Sequence, residues 1–414
     1  MKGKVHMICI EKALTQPVPS DIYTIGAPED VLFFDIETTG LSARSAGLYL
    51  IGVLTYTADA SIARESNIIA SLDTRAPESA GHWTLLQCFC EDVADEPAVL
   101  QAFFELLRTK KILISYNGDG FDIPFLRHML EQYGLPYSFD IVESFDLFKK
   151  FRPLKRLLDL PDLKLKSCER FLGIDREDRF TGGELIEVYF EWQKTKAPAL
   201  LDTLLLHNAE DIANLPNLLP LLRYRSLPHS DFRLRAHERL QDGATPLVHL
   251  SFTFLSPMPP SAHASVENGT REVTDDRRLH WPALTLPKPM DLRGDFWALH
   301  AEGSAVELYV QLFEGERKLF FADFEHYYYL PAEDQVIHQS LAEFVDRSAR
   351  KKACARNCYQ RVTGCFLPEL SEVYTPALRA EYRDKLRYAQ YSDTLFDDEA
   401  KAIAYLKSFL VYGV

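Results

Sequence analysis

The first half of the chain alternates short apolar runs with patterns of helical spacing. The runs are rich in β-branched and aromatic residues and are flanked by turn residues, which predicts buried strands. These strands are expected over residues 31–35, 49–56, 82–89 and 112–116. Helical spacing predicts one helix that begins near Pro97 and a second over residues 121–133, which Gly134 would end. This order is typical of an α/β domain with a mixed sheet.

From residue 180 to about residue 228, the spacing of apolar residues is mainly helical. One helix is expected to begin around Thr181, and a longer one over residues 199–224, which Pro216 and Pro220 would kink or interrupt. From about residue 228, prolines and polar stretches exclude long helices and favour short strands and loops. We therefore predict a first domain over residues 1–228 and a second over residues 229–414.

The second domain is expected to be β-rich with a helical C-terminal part. Alternating residues over 306–313 and a further apolar run over 318–324 predict a hairpin. Helices are expected over residues 333–351, 376–391 and 397–410. This domain is interpreted as a region for substrate capture or partner docking.

Composition narrows the class of protein. Of 414 residues, 47% are hydrophobic and 26% are charged, which is typical of globular proteins and excludes wholesale disorder. The formal net charge of −14 argues against a protein that coats polyanions, although a metal site built from carboxylates also adds negative charge. No apolar run approaches the length of a membrane span, and Glu11 breaks the N-terminal apolar stretch too early for a signal peptide. The seven cysteines are therefore expected to be reduced thiols in a cytoplasmic protein.

Acidic residues follow the predicted strands in a pattern that indicates metal chemistry. Asp35 and Glu37 are two positions apart in a strand, so their side chains project from the same face. Asp122 opens a helix that follows another strand, and Asp211 shares a helix face with His207. Carboxylates held together repel one another unless they are protonated or bridged by a cation. Four of them around two divalent ions can form a phosphodiesterase site, where one ion activates water and the other stabilises the leaving oxygen.

Three segments carry a family resemblance, in the same order and at similar intervals. They are Asp35-Ile-Glu-Thr-Thr-Gly40, Asn117-x-x-x-Phe121-Asp122 and His207-x-x-x-Asp211. They resemble the motifs of the DEDD-type 3′–5′ exonucleases, which have a ribonuclease H-like fold, and the nearest resemblance is to the YprB-like branch. That branch is similar to the exonuclease domain of family-B DNA polymerases, and the resemblance covers about residues 25–225.

The resemblance implies a set of site residues and cofactors. Two Mg²⁺ or Mn²⁺ ions would be held by Asp35, Glu37, Asp122 and Asp211, with His207 beside the attacking water. Residues expected to bind substrate are Thr38, Thr39, Gly40, Leu41, Asn117, Phe121, Lys149 and Lys150. Leu41 would wedge against the terminal base or simply pack, and Asn117 would donate an orienting hydrogen bond. The basic run with Lys149 and Lys150 would contact phosphates or be a solvated helix end.

His207 departs from the family pattern. It lies four residues before Asp211, which is the spacing of the tyrosine subclass, whereas the histidine subclass usually places its histidine one residue further away. One residue turns a helix by about 100°, so the imidazole is displaced from the usual position of the base. We predict that His207 still orients or deprotonates the attacking water; the alternative is a surface or packing histidine.

These observations predict a metal-dependent 3′–5′ exonuclease that hydrolyses single-stranded DNA or RNA from its 3′ end. The direction of cleavage is implied by the resemblance, and the choice between DNA and RNA stays open. The alternative is a nucleic-acid-binding or partner-recruiting protein whose nuclease site is vestigial or depends on a partner. A helicase or a polymerase is the kind of partner expected, and no membrane association is expected.

Overall fold

The computed structural model describes residues 7–14, 18–58, 81–243, 245–255 and 285–412. The described residues up to Arg225 group into one unit, and those from Ser226 onward group into a second. The first unit is mixed α/β and the second is β-rich, in agreement with the predicted fold class.

A six-stranded mixed sheet organises the first unit. Its strands are β1 Ile8–Ala13, β2 Val31–Thr38, β3 Leu48–Ala58, β4 Gly81–Phe89, β5 Ile112–Ser115 and β6 Glu143–Asp146. Their order across the sheet is β1-β4-β3-β2-β5-β6. β2 is antiparallel to β3 and parallel to β5, which is parallel to β6. The sequence analysis identified β2 to β5 and missed β1 and β6.

Nine helices are described in the same part of the chain. They are α1 Glu96–Leu107, α2 Asp122–Tyr133, α3 Leu147–Phe151, α4 Leu154–Leu157, α5 Leu165–Leu172, α6 Gly182–Thr195, α7 Pro198–Ala213, α8 Leu215–Leu218 and α9 Leu222–Ser226. Gly134 ends α2 in the left-handed conformation, and a capping box between Thr181 and Glu184 begins α6. α7 stops at Ala213 before two short helices, so the predicted interruption near Pro216 and Pro220 is confirmed.

The core of this unit lies on both faces of the sheet. Residues Val31 to Phe34 of β2 are fully buried. Leu32 and Phe34 belong to the cluster that contains the apolar faces of α1 and α2. Tyr49 and Phe89 pack on the opposite side with residues of α6 and α7. β2 is therefore a central strand, and polar groups at its end are held rigidly.

In its described residues, the second unit consists of antiparallel sheets and one long helix. Its strands are β7 Asp231–Asp242, β8 Thr245–Leu255, β9 Met290–Gly294, β10 Trp297–Glu302, β11 Ala305–Gln311, β12 Phe313–Phe320, β13 Tyr327–Leu330, β14 Gln335–His338, β15 Lys351–Lys352, β16 Tyr359–Glu369 and β17 Arg387–Gln390. The sheet orders are β7-β8-β11-β10-β9, β12-β16-β17 and β14-β13-β15. The predicted C-terminal helix is present as α10 Glu399–Tyr412, where Phe409 packs on Trp297.

Three predictions for the second unit are wrong. Residues 333–351 form β14, the start of β15 and 3₁₀ turns, and residues 376–391 contain β17, so neither segment is an α-helix. The predicted hairpin of 306–313 with 318–324 is absent, because β11 pairs with β8 and β10 while β12 pairs with β16. In each case pairing with another strand satisfies the backbone and overrides the local pattern.

Two further expectations concern membranes and thiols. Within the described ranges, no helix is both long enough and apolar enough to cross a bilayer. All seven cysteines have free thiols. Cys9 and Cys88 face each other across β1 and β4 with their sulfur atoms 2.8 Å apart.

Candidate active site

Asp35 and Glu37 lie near the end of β2 on the face that α7 covers. Asn208 on α7 donates a hydrogen bond of 3.1 Å from Nδ2 to Asp35 Oδ2. Gly52 on β3 pairs with Asp35 and permits this close approach, because a Cβ there would lie 2.0 Å from Asn208 Oδ1. Tyr49 donates a 3.4 Å hydrogen bond to Glu37 Oε2. Both carboxylates are thus held by neutral donors on adjacent elements.

Asp122 joins this group from the first turn of α2. Its side chain is buried, and its Oδ1 accepts a hydrogen bond of 3.2 Å from the backbone N–H of Ile36. Ile36 lies between Asp35 and Glu37, so Asp122 is brought to the same end of the strand. A helix N-terminus also favours a carboxylate through its unpaired N–H groups.

His207 and Asp211 approach Glu37 from α7. His207 Nε2 lies 3.7 Å from Glu37 Oε1 and 3.5 Å from Asp211 Oδ2. One ligand atom from each of the three residues lies within 4.8 Å of the others. His207 is 5% exposed, so the alternative of a surface histidine is excluded.

The carboxylates perturb one another strongly. Burial raises the pKa of Asp35 and of Glu37 well above their usual values, and neighbouring carboxylates including Asp122 and Asp211 raise both further. Burial also raises the pKa of Asp122 to about 7, although the hydrogen bond from Ile36 opposes this shift. A cation bound among these carboxylates would balance their negative charge and stabilise their ionised forms. Oxygen donors together with one imidazole nitrogen fit a divalent metal ion.

Two residues of the loop between α5 and α6 complete the surroundings, and the sequence analysis did not identify them. Asp178 Oδ2 lies 2.8 Å from His207 Nδ1. Arg176 donates hydrogen bonds to Asp211 Oδ1 and, at 3.1 Å, to Glu169 Oε2. Both lie in the charged run 175–179, but nothing in the spacing of that run points to the three motifs.

The predicted substrate-binding residues after β2 shape a turn beside the carboxylates. Thr38 Oγ1 donates to the carbonyl oxygen of Gly40 at 2.9 Å. Thr39 Oγ1 accepts a 2.8 Å hydrogen bond from the N–H of Gly47. Leu41 follows this turn and is 88% exposed, so its side chain does not pack in this structure.

The remaining predicted binding residues have different surroundings. Asn117 has a positive φ of 66°, and its backbone N–H donates to Asp146 Oδ1 at 2.9 Å. Phe121 is half-buried and its ring lies 5.7 Å from that of Phe125. Lys149 forms an ion pair of 2.6 Å with Asp119, and Lys150 Nζ lies 4.6 Å from the ring centre of Phe145. The structure therefore gives these two lysines local partners rather than the carboxylates of the candidate site.

A known family model matches the part of the chain that carries the candidate site. Residues 32–223 match the model of the RNase_H superfamily. These residues form an RNase H-like domain. The expected ribonuclease H-like fold of the first domain is therefore confirmed, while the DEDD type and the YprB-like branch stay predictions.

Three other known proteins are similar to parts of this chain. A DNA polymerase of Orgyia pseudotsugata multicapsid polyhedrosis virus is 25% identical over an alignment of 166 residues, and the match covers 33% of this chain and 16% of the polymerase. The chain thus spans about a sixth of that relative's length. The family B DNA polymerase of Pyrobaculum calidifontis is 18% identical over 49% of this chain and 25% of that chain, with a TM-score of 0.32. E. coli ExoI in complex with single-stranded DNA is 14% identical over 54% of both chains, with a TM-score of 0.25.

Proposed function

We propose that this protein is a DEDD-type nuclease that hydrolyses phosphodiester bonds with the help of two Mg²⁺ or Mn²⁺ ions. The observation that carries the proposal is the convergence of Asp35, Glu37, Asp122 and Asp211 from β2, α2 and α7. Isolated carboxylates at a strand end have ordinary structural explanations. Here burial raises the pKa of Asp35, Glu37 and Asp122, and the charge of Asp211 raises it further in each case, which calls for a polyvalent cation.

Different residues of the chain would have different roles in such a site. Asp35, Glu37, Asp122 and Asp211 would hold the ions, whose positive charge would offset the charge that develops on phosphate during hydrolysis. Asn208 and Tyr49 orient Asp35 and Glu37 through neutral hydrogen bonds. Neutral donors leave the negative charge of both carboxylates available to a cation. His207 directs Nε2 into the same space.

The finer parts of the proposal rest on the resemblance of the three motifs. They are the 3′–5′ direction, the single-stranded DNA or RNA substrate, and a helicase or polymerase as partner. The second unit is assigned to substrate capture or partner docking. A cytoplasmic location is also part of the proposal and is supported by the seven free thiols.

A digestion assay tests the proposal. Single-stranded DNA and RNA oligonucleotides labelled at the 5′ end would be incubated with Mg²⁺, with Mn²⁺ or with a chelator. We expect a metal-dependent ladder that shortens from the 3′ end and disappears in Asp35→Asn. Asp202→Asn is the matched control, because Asp202 is an exposed carboxylate on α7 and should leave the ladder intact. Uncut oligonucleotides with folded protein under both ions would refute the nuclease.

The ion pair between Arg176 and Asp211 favours a second candidate function. Arg176 is 7% exposed at its side chain and binds one oxygen of a carboxylate that a metal ion would use. A cation built into the site could replace the metal in a protein that binds nucleic acid or recruits a partner without cleavage. Fluorescence anisotropy would then detect single-strand binding, while the labelled oligonucleotide stays intact under every metal. Cleavage by the protein alone would reject this candidate.

A further inference from the structure

His207 is fixed by a buried carboxylate on the side away from the site. Its Nδ1 lies 2.8 Å from Asp178 Oδ2. The side chain of Asp178 is 1% exposed, and Lys166 binds the same Oδ2 at 2.8 Å. The N–H of Phe180 donates to the other oxygen at 3.0 Å. Asp178 is thus an ionised acceptor with fixed geometry, which requires the proton of the imidazole to be on Nδ1.

This arrangement leaves the lone pair of Nε2 directed at two further acceptors. Glu37 Oε1 and Asp211 Oδ2 lie 3.7 and 3.5 Å from Nε2. Both distances exceed the length of a good N–H···O hydrogen bond, so a proton on Nε2 would be poorly shared with either oxygen. Three acceptor atoms that converge without a donor among them match the ligand set of a cation.

We propose that His207 is a ligand of the metal ion through Nε2, together with Glu37 and Asp211, and that this nitrogen makes the site prefer Mn²⁺ to Mg²⁺. The proposal rests on the metal-dependent nuclease proposed above and replaces the expected role of His207 as a base. Mg²⁺ binds oxygen ligands and accepts imidazole reluctantly, whereas Mn²⁺ also favours oxygen ligands but accepts an imidazole nitrogen more readily.

The position of His207 along α7 supports this assignment. Side chains at i and i+4 lie on one face of a helix, and His207 and Asp211 have that spacing. Pairs of ligands with this spacing hold one metal ion in helical zinc motifs. The four-residue spacing moves His207 away from the usual position of the base. The same spacing allows His207 and Asp211 to bind one ion together.

Asp178 acts in this site as a positioning residue. Metal-binding histidines usually donate their other N–H to a carboxylate or carbonyl, which fixes the tautomer and raises the basicity of the ligand. Loss of such a partner weakens metal affinity about 10- to 100-fold. We therefore expect Asp178→Asn to weaken Mn²⁺ binding by that factor, with a much smaller effect on Mg²⁺.

Pulsed electron paramagnetic resonance of Mn²⁺ on the full-length, substrate-free protein tests the ligand directly. A coordinated imidazole is expected to produce ¹⁴N modulation that changes when the histidines are labelled with ¹⁵N. The signal should vanish in His207→Gln and persist in His128→Gln, a matched control on α2. Bound Mn²⁺ without nitrogen coupling in the wild-type protein would overturn the proposal, whatever the variants do.

Equilibrium titrations with Mn²⁺ and Mg²⁺ provide the second readout. The ratio of the two dissociation constants should favour Mn²⁺ in the wild-type protein and should fall at least tenfold in His207→Gln. An unchanged ratio in a folded variant, checked by its thermal transition, would refute the role of His207. Oligonucleotide cleavage without nitrogen coupling would overturn this inference alone. Failure to bind either ion would overturn the proposed function as well.

Discussion

The substitution Gly52→Ala adds one methyl group and tests how closely α7 packs on β3 beside the candidate site. A Cβ on this residue would lie 2.0 Å from Asn208 Oδ1 and 2.1 Å from Ile212 Cδ1. Ordinary contact begins near 3.4 Å, so α7 would have to move by about 1.4 Å away from β3. Asn208 also accepts a 3.0 Å hydrogen bond from Gln87, which resists this movement.

We expect Gly52→Ala to lower the free energy of unfolding by about 1–3 kcal/mol, which is the usual cost of an added methyl group in a packed core. The displacement of α7 would also separate Asp211 from Glu37, so Mn²⁺ affinity should fall with stability. Urea denaturation and metal titration measure the two effects.

Gly183→Ala is the matched control for this substitution. Gly183 lies in α6, and no atom lies within 4 Å of the position that an added methyl group would take, so alanine should stabilise the helix by up to about 1 kcal/mol. If Gly52→Ala kept the stability and the Mn²⁺ affinity of the wild type, the close packing of α7 on β3 would be refuted.

Three further predictions concern Arg176, Thr181 and Glu369. Arg176→Met should lower the melting temperature, because Asp211 loses a buried partner. In thermal shift assays, added Mn²⁺ should raise the melting temperature of this variant by more than it raises that of the wild type. Thr181→Ala should reduce the free energy of unfolding in urea by about 1 kcal/mol, because it removes a capping box. Burial raises the pKa of Glu369, so this carboxyl binds a proton more tightly in the folded state than in the unfolded state. The free energy of unfolding therefore falls as the pH rises above the pKa of the unfolded state. Urea titrations at several pH values should show that Glu369→Gln removes this fall.

Each of these predictions has an outcome that contradicts it. Equal Mn²⁺ shifts in Arg176→Met and wild type would mean that the ion and Arg176 do not compete for Asp211. A Thr181→Ala protein as stable as the wild type would show that the cap contributes little. An unchanged pH profile for Glu369→Gln would mean that this carboxyl has the same pKa in both states.

Local sequence patterns were sufficient to predict most of the secondary structure of the first unit. Apolar runs predicted β2 to β5, and Gly134 and Thr181 predicted one helix end and one helix start. β6 was missed because it carries no apolar run, and β1 was missed because its apolar stretch is short and ends at Glu11. In the second unit, some strands pair with partners distant in the chain, as β12 does with β16 in place of the predicted local hairpin.

The neighbouring pairs of side chains in the candidate site follow from the amino-acid sequence. Strand and helix periodicity put Asp35 beside Glu37 and His207 beside Asp211 on common faces, because these relations depend only on backbone geometry. Only the tertiary structure brought Asp178 to Nδ1 of His207 and Arg176 to Asp211. Those contacts depend on how one loop packs on α7, and no local periodicity encodes such a long-range approach.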